Sequence, residues 1–279
     1  MILQELQRIS DSVGEINGWD FSRLRVERDP MPWDYVEVAR QYLTPTSRVL
    51  DVGTGGGEVF RQLVPDLGTG VAVDADPRMI ETARANLPRE MAGKVTFEVM
   101  RAQDLRFPAE SLDVVLNRHA PVFVDQIVPL LRADGVFVHQ LVAGRNSQNV
   151  FDAFGWGSNG AYWASYWQQH QLPAQDGASL AEAFRQAGCS VIARGEYDVR
   201  YYFLDVESFV FWLKAVPLPE DFDAAKHWRQ IDRFLAQHTT PRGILTNEHR
   251  ELVIVRKEGS VRMPPSRLAH GVANQESRL

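Results

Sequence analysis

At 279 residues with 44% hydrophobic content, the chain is long enough to bury a full core in one domain, or in one domain with a cap, without needing disulfides or a metal. Its formal net charge of -6 supplies no basic field of the kind that dominates phosphate-backbone binding, which disfavours a nucleic-acid partner. The one cysteine, Cys189, excludes an internal disulfide and a cysteine-based zinc site, and it reads as a small buried residue of a reducing, cytoplasmic protein.

In chain order, residues 1–45 read as an N-terminal helical cap. Ile2, Leu3, Leu6, Ile9 and Val13 recur at three- and four-residue steps, Asn17-Gly18 ends that helix, and a second helical piece runs from about Pro32 to Leu43. The start of the chain has neither a basic opening nor a long apolar run, and no stretch anywhere approaches the roughly 20 apolar residues that a bilayer demands, so export and membrane insertion are not expected. Between the two helices lie Trp19, Phe21 and the charged run Arg23 to Arg28, expected to stay off any sheet.

From Ser47 onward apolar runs alternate with helical segments, the pattern of a doubly wound α/β sheet. Strands are predicted at 48–52, 70–74, 95–99, 112–117 and 136–142, with helices starting near Gly57, Pro77 and Val124 and ending near Pro65, Pro88 and Gly135. Continuous runs such as Val71-Ala72-Val73 and Val114-Val115-Leu116 suit parallel strands covered on both faces. The alternation stops after Val142, where 144–175 is rich in Gly, Asn, Gln, Trp and Tyr and reads as a lid insertion. A helix over about 178–187 resumes it, and runs at 190–204 and 249–256 complete the sheet, the last strand antiparallel. The expected architecture of residues 1–258 is therefore one domain, a Rossmann-like α/β sheet of seven strands, mostly parallel. It comprises the cap 1–45, a cofactor-binding core 46–143, the lid 144–175 and a C-terminal part 176–258. Residues 259–279, with few large apolar side chains, read as a disordered tail.

Val49-Leu50-Asp51-Val52 runs into Gly53-Thr54-Gly55-Gly56-Gly57-Glu58, glycines placed where a buried strand turns sharply and where backbone can approach a ligand with no Cβ in the way. Such a turn suits several nucleotides. A dinucleotide fingerprint, however, needs a small residue where Glu58 stands, and that acid would repel a pyrophosphate. No Gly-Lys-Ser or Gly-Lys-Thr follows, so a phosphate-binding P-loop is absent too. A ligand without phosphates, carrying an amino-acid head group and a ribose, fits better. Asp74 ends the second strand 21 residues beyond Gly53, about where an acid meets ribose hydroxyls. Asp76-Pro77 then reads as N-cap and first residue of the next helix.

The runs VLDVGTGGGE, VAVDADPRMI, DLRFPAESLDVVLNRHA and LLRADGVFVHQLV together resemble the class I methyltransferases over about residues 46–143. The resemblance implies S-adenosyl-L-methionine as cofactor, its methionine part on the glycine turn with Asp51, Gly53, Thr54, Gly55 and Gly57, its ribose on Asp74 with Ala75, and its adenine beside Ala102 and Gln103. Where that family often has Gly-Asp-Ala, this chain has Met100-Arg101-Ala102, which leaves adenine to the Ala102 backbone, Gln103 or Asp104.

In an open α/β sheet the ligand lies beyond the carboxyl ends of the strands, so Asn117-Arg118-His119-Ala120-Pro121 faces the transferable methyl group. Methyl transfer chiefly demands orientation of the acceptor and exclusion of water. Where the acceptor needs a base, an imidazole titrating near neutrality can take its proton, which makes His119 the catalytic candidate, with packing of the ring in the loop as the alternative. Asn117 reads as orienting the cofactor or the loop, since an amide is no base. The Asn-Pro-Pro-Tyr sequence of many amino-directed DNA and protein-glutamine methyltransferases is missing, and His139 and Gln140 read as buried polar residues. Phe151, Phe154, Trp156, Tyr162, Trp163, Tyr166 and Trp167, amid Gly155, Gly157 and Gly160, read equally as a lid over a flat acceptor and as a helix face packed on the core. Trp156, Tyr162 and Trp163, with Trp19 and Phe21 from the cap, are the acceptor-binding candidates. The histidines are scattered and no metal site assembles, while Arg242, His249 and Arg250 read as surface charge. The function expected is methyl transfer from S-adenosyl-L-methionine to oxygen or nitrogen of a small molecule. An RNA methyltransferase, which would want a basic face, and a non-catalytic cofactor-binding module are the alternatives.

Overall fold

The computed structural model describes residues 3–13, 21–169, 172–173, 176–216 and 222–259. The amphipathic N-terminal run forms α1 (Leu3–Val13), followed by β1 (Val26–Arg28) and α2 (Tyr35–Arg40), whose first turn is capped by the Asp34 carboxylate. The central stretch supplies β2 (Arg48–Val52), β3 (Thr69–Asp74), α3 (Pro77–Asn86), β4 (Val95–Val99), β5 (Leu112–Arg118), α4 (Val124–Ile127) and β6 (Leu131–Val142). Beyond it come α5 (Gln148–Phe154), α6 (Asn159–Gln169), α7 (Gly177–Gln186), β7 (Cys189–Phe203), α8 (Val206–Ala215), α9 (Trp228–His238), β8 (Thr239–Thr240) and β9 (Gly243–Lys257).

All nine strands share one sheet in the order β1-β7-β9-β6-β5-β2-β3-β4, with β8 beside β9. From β4 to β6 the pairing is parallel, whereas β9 runs antiparallel between β6 and β7. Chain order reverses between β2 and β5, and a cleft opens there beyond the carboxyl ends of the strands. Alternation along the strands sorts the core. Val49, Leu116, Val138 and Ile254 meet α2 and α3 on one face, and Leu50, Val115, Phe137 and Val253 meet Phe184 of α7 on the other. Past the carboxyl end of β6, β7 and β9 continue together as a wall backed by a third cluster that includes Leu6, Val150, Phe203, Phe209, Phe234 and Ile244.

Several expectations are corrected. Among the described residues the sheet has nine strands, not seven, because the charged run expected as cap forms β1, pairing Val26, Glu27 and Arg28 with Phe203, Tyr202 and Tyr201, and Thr239–Thr240 forms the short β8 against β9. An edge strand keeps one side in water and so tolerates charges that would bar it from the sheet interior. The last strand begins at Gly243, not 249, since Thr246, Glu248 and Arg250 interrupt the apolar run on the face turned to the cleft. Short 3-10 turns at Phe60–Gln62 and Val64–Asp66 stand where a helix was expected from Gly57. Positive φ at Gly55 and Gly57 keeps its start out of helical geometry, and Pro65 can neither donate nor accommodate the carbonyl of residue 61. Likewise α4 makes only a turn before Pro129, and β6 starts at Leu131. Within 144–175 the described residues form α5 and α6. Trp19 and residues 260–279 lie outside the described residues.

Candidate functional site

The glycine turn follows β2 directly. Gly53, Gly55 and Gly57 have φ of 75, 57 and 75°, a region that costs a residue with a Cβ, and the Gly53 and Thr54 amides bond to the Val73 carbonyl at 2.8 and 3.0 Å. Gly53 has a second reason to lack a side chain: a Cβ there would fall 2.3 Å from the Ala120 Cβ in the loop after β5. Turn and loop thus touch, and together they floor the cleft. Asp74 ties the other side, its Oδ2 accepting from Gly55 N at 2.9 Å and its Oδ1 from Asp76 N at 3.0 Å. Asp76 caps α3 through Arg78 N, as its Asp-Pro sequence suggests. The Glu58 carboxylate folds back against Gly56 with one oxygen buried and unpartnered, an arrangement hostile to a phosphate.

Asp51 ends at the foot of this turn, 8% exposed. Burial pushes its carboxyl up to about 7, the Thr54 hydroxyl opposes that rise, Asp74 adds to it and Arg118 opposes it. The Thr54 hydroxyl lies near enough to affect Asp51 yet outside hydrogen-bond geometry, so its buried oxygen stays without a partner. Tyr35 brings a second buried, unpartnered hydroxyl from α2 to the same spot, its ionisation pushed up by burial and by Asp51. At the ends of β3 and β4, Ala75 and Gln103 are exposed and Ala102 is half-buried against the core.

After β5 the chain turns through Asn117, whose Oδ1 accepts from Ala120 N at 3.1 Å and whose Nδ2 donates to the Pro121 carbonyl at 3.3 Å. That amide, fully buried, shapes the loop. His119 follows in the left-handed region with φ 70°, its amide held by the Gln140 carbonyl at 2.9 Å. A non-glycine residue held there stores on the order of 1–3 kcal/mol of strain, a cost found mostly at working sites. The ring is open to solvent in the cleft yet surrounded by protein. That crowding, then Arg118, Arg250 and His139, holds its pKa well below the usual histidine value, so at neutral pH it is an unprotonated base. His139 is different: it is buried, stacked on Phe137 with centroids 5.7 Å apart, held to the Asn117 carbonyl through Nδ1 at 3.1 Å, and pushed by burial down to about 4.

Of the acceptor candidates, Phe21 packs edge-on to Phe211 at 6.4 Å, while Trp156 and Tyr162 both pack edge-on to Phe151 at 5.7 Å, and Trp163 lies against Tyr162. None of them lines the hollow that flanks the glycine turn. That hollow, about 170 Å³, is formed by residues that the sequence reading did not put forward as acceptor-binding, among them Arg28, Trp33, Arg118, Gln140, Tyr197 and Glu248. One signal for them was legible: Glu248 and Arg250 are two residues apart on a strand, hence on one face, and Arg118 precedes His119 in the post-strand loop. Arg242, in contrast, is spent on Glu27 and Asp29 at the surface. Among the described residues no group of three His, Cys, Asp or Glu side chains is placed to hold a metal, and no helix is long and apolar enough to cross a membrane.

An open, mixed α/β sheet whose parallel half carries a glycine turn, a strand-end acid and a histidine-bearing loop has the layout of the doubly wound domains, which bind ligands beyond the carboxyl ends of their strands. The comparisons make this specific. Residues 49–133 match the family model described as a methyltransferase domain. The chain is similar to the uncharacterized methyltransferase YcgJ of Bacillus subtilis strain 168, 30% identical over 33% of this chain and 39% of that protein. It is also similar to the aklanonic acid methyltransferase DauC of Streptomyces sp. strain C5, 32% identical over 30% of this chain and 40% of that one. It thus spans about two fifths of the length of these curated relatives. The solved structure of the Bacillus YcgJ protein shares the fold with a TM-score of 0.53 at 18% identity, over 80% of this chain and 96% of that one.

Proposed function

We propose that this chain transfers a methyl group from S-adenosyl-L-methionine to an oxygen or nitrogen of a small molecule, with His119 as the base that takes the acceptor's proton. The observation that carries this reading is the contact between the glycine turn and the loop after β5, where Gly53 packs against Ala120, the residue that follows His119. The residues fit the cofactor. Thr54 offers a buried hydroxyl with no partner, Asp51 an acid whose ionisation an ammonium would favour, and Asp74 a carboxylate with lone pairs left for a ribose diol. When bound, S-adenosyl-L-methionine supplies an electrophilic methyl group on a cationic sulfur. Asn117 fixes the loop, Asp74 braces the turn, and Ala75, Ala102 and Gln103 border the adenine side. Acceptor selection falls to the cleft walls, with Phe21, Trp156, Tyr162 and Trp163 set back from them.

The net charge of -6 argues for a small acceptor over RNA. Calorimetry with S-adenosyl-L-methionine tests the cofactor half of the reading, and absence of affinity overturns it. A labelled-methyl screen of metabolite pools tests the other half, since retention of cofactor binding without turnover of any acceptor would point instead to the non-catalytic module.

A further inference from the structure

The hollow beside the glycine turn has an unbalanced charge. Its one buried carboxylate, Glu248, is fully engaged: Oε1 accepts from the Tyr197 hydroxyl at 2.7 Å, Oε2 pairs with Arg28 at 3.1 Å, and Arg250 stands 4.0 Å away. Asp34, also on the rim, caps the amides of Val36 and Glu37. The Arg118 guanidinium forms no hydrogen bond or ion pair with any described residue, although it lines the hollow with these groups. Arg28 and Arg250 are thus spent on Glu248, and Arg118 is the guanidinium of the hollow left without a paired carboxylate among the described residues.

The wall facing this charge is flat and fixed. The Trp33 ring lies on Gly195, where a Cβ would come within 2.8 Å of Cζ3, and its indole N–H donates to Gln140 Oε1 at 3.0 Å. Tyr197 closes the corner, its ring 4.7 Å from that of Trp33 at 64°. A ring held on three sides offers contact area at little entropic cost. A free guanidinium recognises carboxylate or phosphate through two parallel hydrogen bonds. Glu248 discriminates between these, because a phosphate dianion would bring more negative charge against it than a single carboxylate.

We propose that this hollow receives a planar, carboxylate-bearing methyl acceptor, its carboxylate paired with Arg118 and its flat body laid against Trp33. His119, close enough to feel the Arg118 charge, does not itself line the hollow. The acceptor role rests on the methyltransferase reading; the carboxylate site itself does not.

Benzoate, with neutral benzamide of the same shape as control, probes the site on the full-length chain by calorimetry at constant ionic strength, alone and with S-adenosylhomocysteine. Wild-type protein should bind benzoate at least about tenfold more tightly than benzamide. Arg118→Gln should lose about tenfold or more of the benzoate affinity while the affinity for S-adenosyl-L-methionine is kept, and Arg118→Lys, which retains the charge, should fall between. Equal binding of benzoate and benzamide overturns the proposal. So does a folded Arg118→Gln protein with undiminished benzoate affinity, or one that loses cofactor and not benzoate affinity, which would give Arg118 to the cofactor's own carboxylate. Benzoate bound through Arg118 by a chain with no affinity for S-adenosyl-L-methionine would support the carboxylate site while removing the methyltransferase reading.

Discussion

A Cβ on Gly53 would meet the Cβ of Ala120 at 2.3 Å, so the glycine turn and the loop after β5 are packed against each other at a point that admits only hydrogen. Gly53→Ala would suffer twice, from this overlap and from a φ of 75°. It should destabilise the protein by about 1–3 kcal/mol and weaken S-adenosyl-L-methionine binding about tenfold or more. Adding Ala120→Gly removes the overlap and leaves the φ strain, so the double variant should recover part of the loss. Thermal melting and calorimetry on the two variants decide whether the contact matters as described.

The raised carboxyl of Asp51 links cofactor binding to pH. Below about 7 the acid is largely neutral, and an ammonium arriving beside it favours the ionised form, so affinity should climb between about pH 6 and about pH 7.5. The same shift acts on the fold with the opposite sign. Because the folded value lies above the ordinary 3.8, the stabilisation from the neutral acid is complete below 3.8 and lost as pH rises through 7. Asp51→Asn should accordingly melt higher than wild type in mildly alkaline buffer, yet bind the cofactor more weakly and without the pH slope. A flat affinity profile for the wild type would contradict this account.

For His119 the useful substitution is asparagine, which tolerates a left-handed φ and cannot act as a base. His119→Asn should keep cofactor affinity while turnover falls by about a hundredfold or more. Since crowding and Arg118 hold the ring well below the usual histidine range, wild-type kcat should stay level across neutral pH and decline only in acid. Unchanged turnover in the variant would leave His119 as a packing residue.

Asp74→Ala would strip the acceptor from two backbone amides, Gly55 and Asp76, as well as from the ribose. Cofactor affinity should drop about tenfold or more, with a smaller loss for 5′-deoxy-5′-methylthioadenosine variants lacking both ribose hydroxyls. Equal losses for the two ligands would assign Asp74 to bracing the turn alone.

The parallel half of the fold was legible because its strands are buried on both faces and so read as unbroken apolar runs: β2 and β4 fall on the residues expected, and β3 and β5 within one. The outer half was not. β1 and the first half of β9 carry Glu27, Arg28 and Glu248, charges reconciled with a sheet by the Arg28–Glu248 and Glu27–Arg242 ion pairs, whose partners are remote in sequence. The same holds for the site. Gly53, Asp51 and Asp74 follow from local spacing, whereas the hollow joins residues 28–36, 118, 140, 197 and 248, which meet only through the sheet order. Aromatic density drew attention to 151–167, yet Phe151 and Phe154 are buried and their neighbours pack upon them, so composition there marks a core as much as a lid.

Gly195 controls the shape of the hollow from outside it. Its partner across the ladder is Leu252, and the Trp33 ring rests on its backbone with Cζ3 and Cη2 at 2.8 and 3.1 Å from the position a Cβ would take. Gly195→Ala must therefore tilt the indole, and because Gln140 holds the N–H at 3.0 Å, tilting stretches that hydrogen bond. Overpacking of this kind costs about 1–3 kcal/mol in a dense site. The turn at 53–57 shares no contact with Gly195, so S-adenosyl-L-methionine affinity should be unaltered while benzoate affinity falls about tenfold. Trp33→Phe, which leaves room over an alanine but gives up the bond to Gln140, should lower benzoate affinity by itself and make the further change at 195 less costly. If Gly195→Ala leaves benzoate binding unchanged, the indole is not a wall of the binding site.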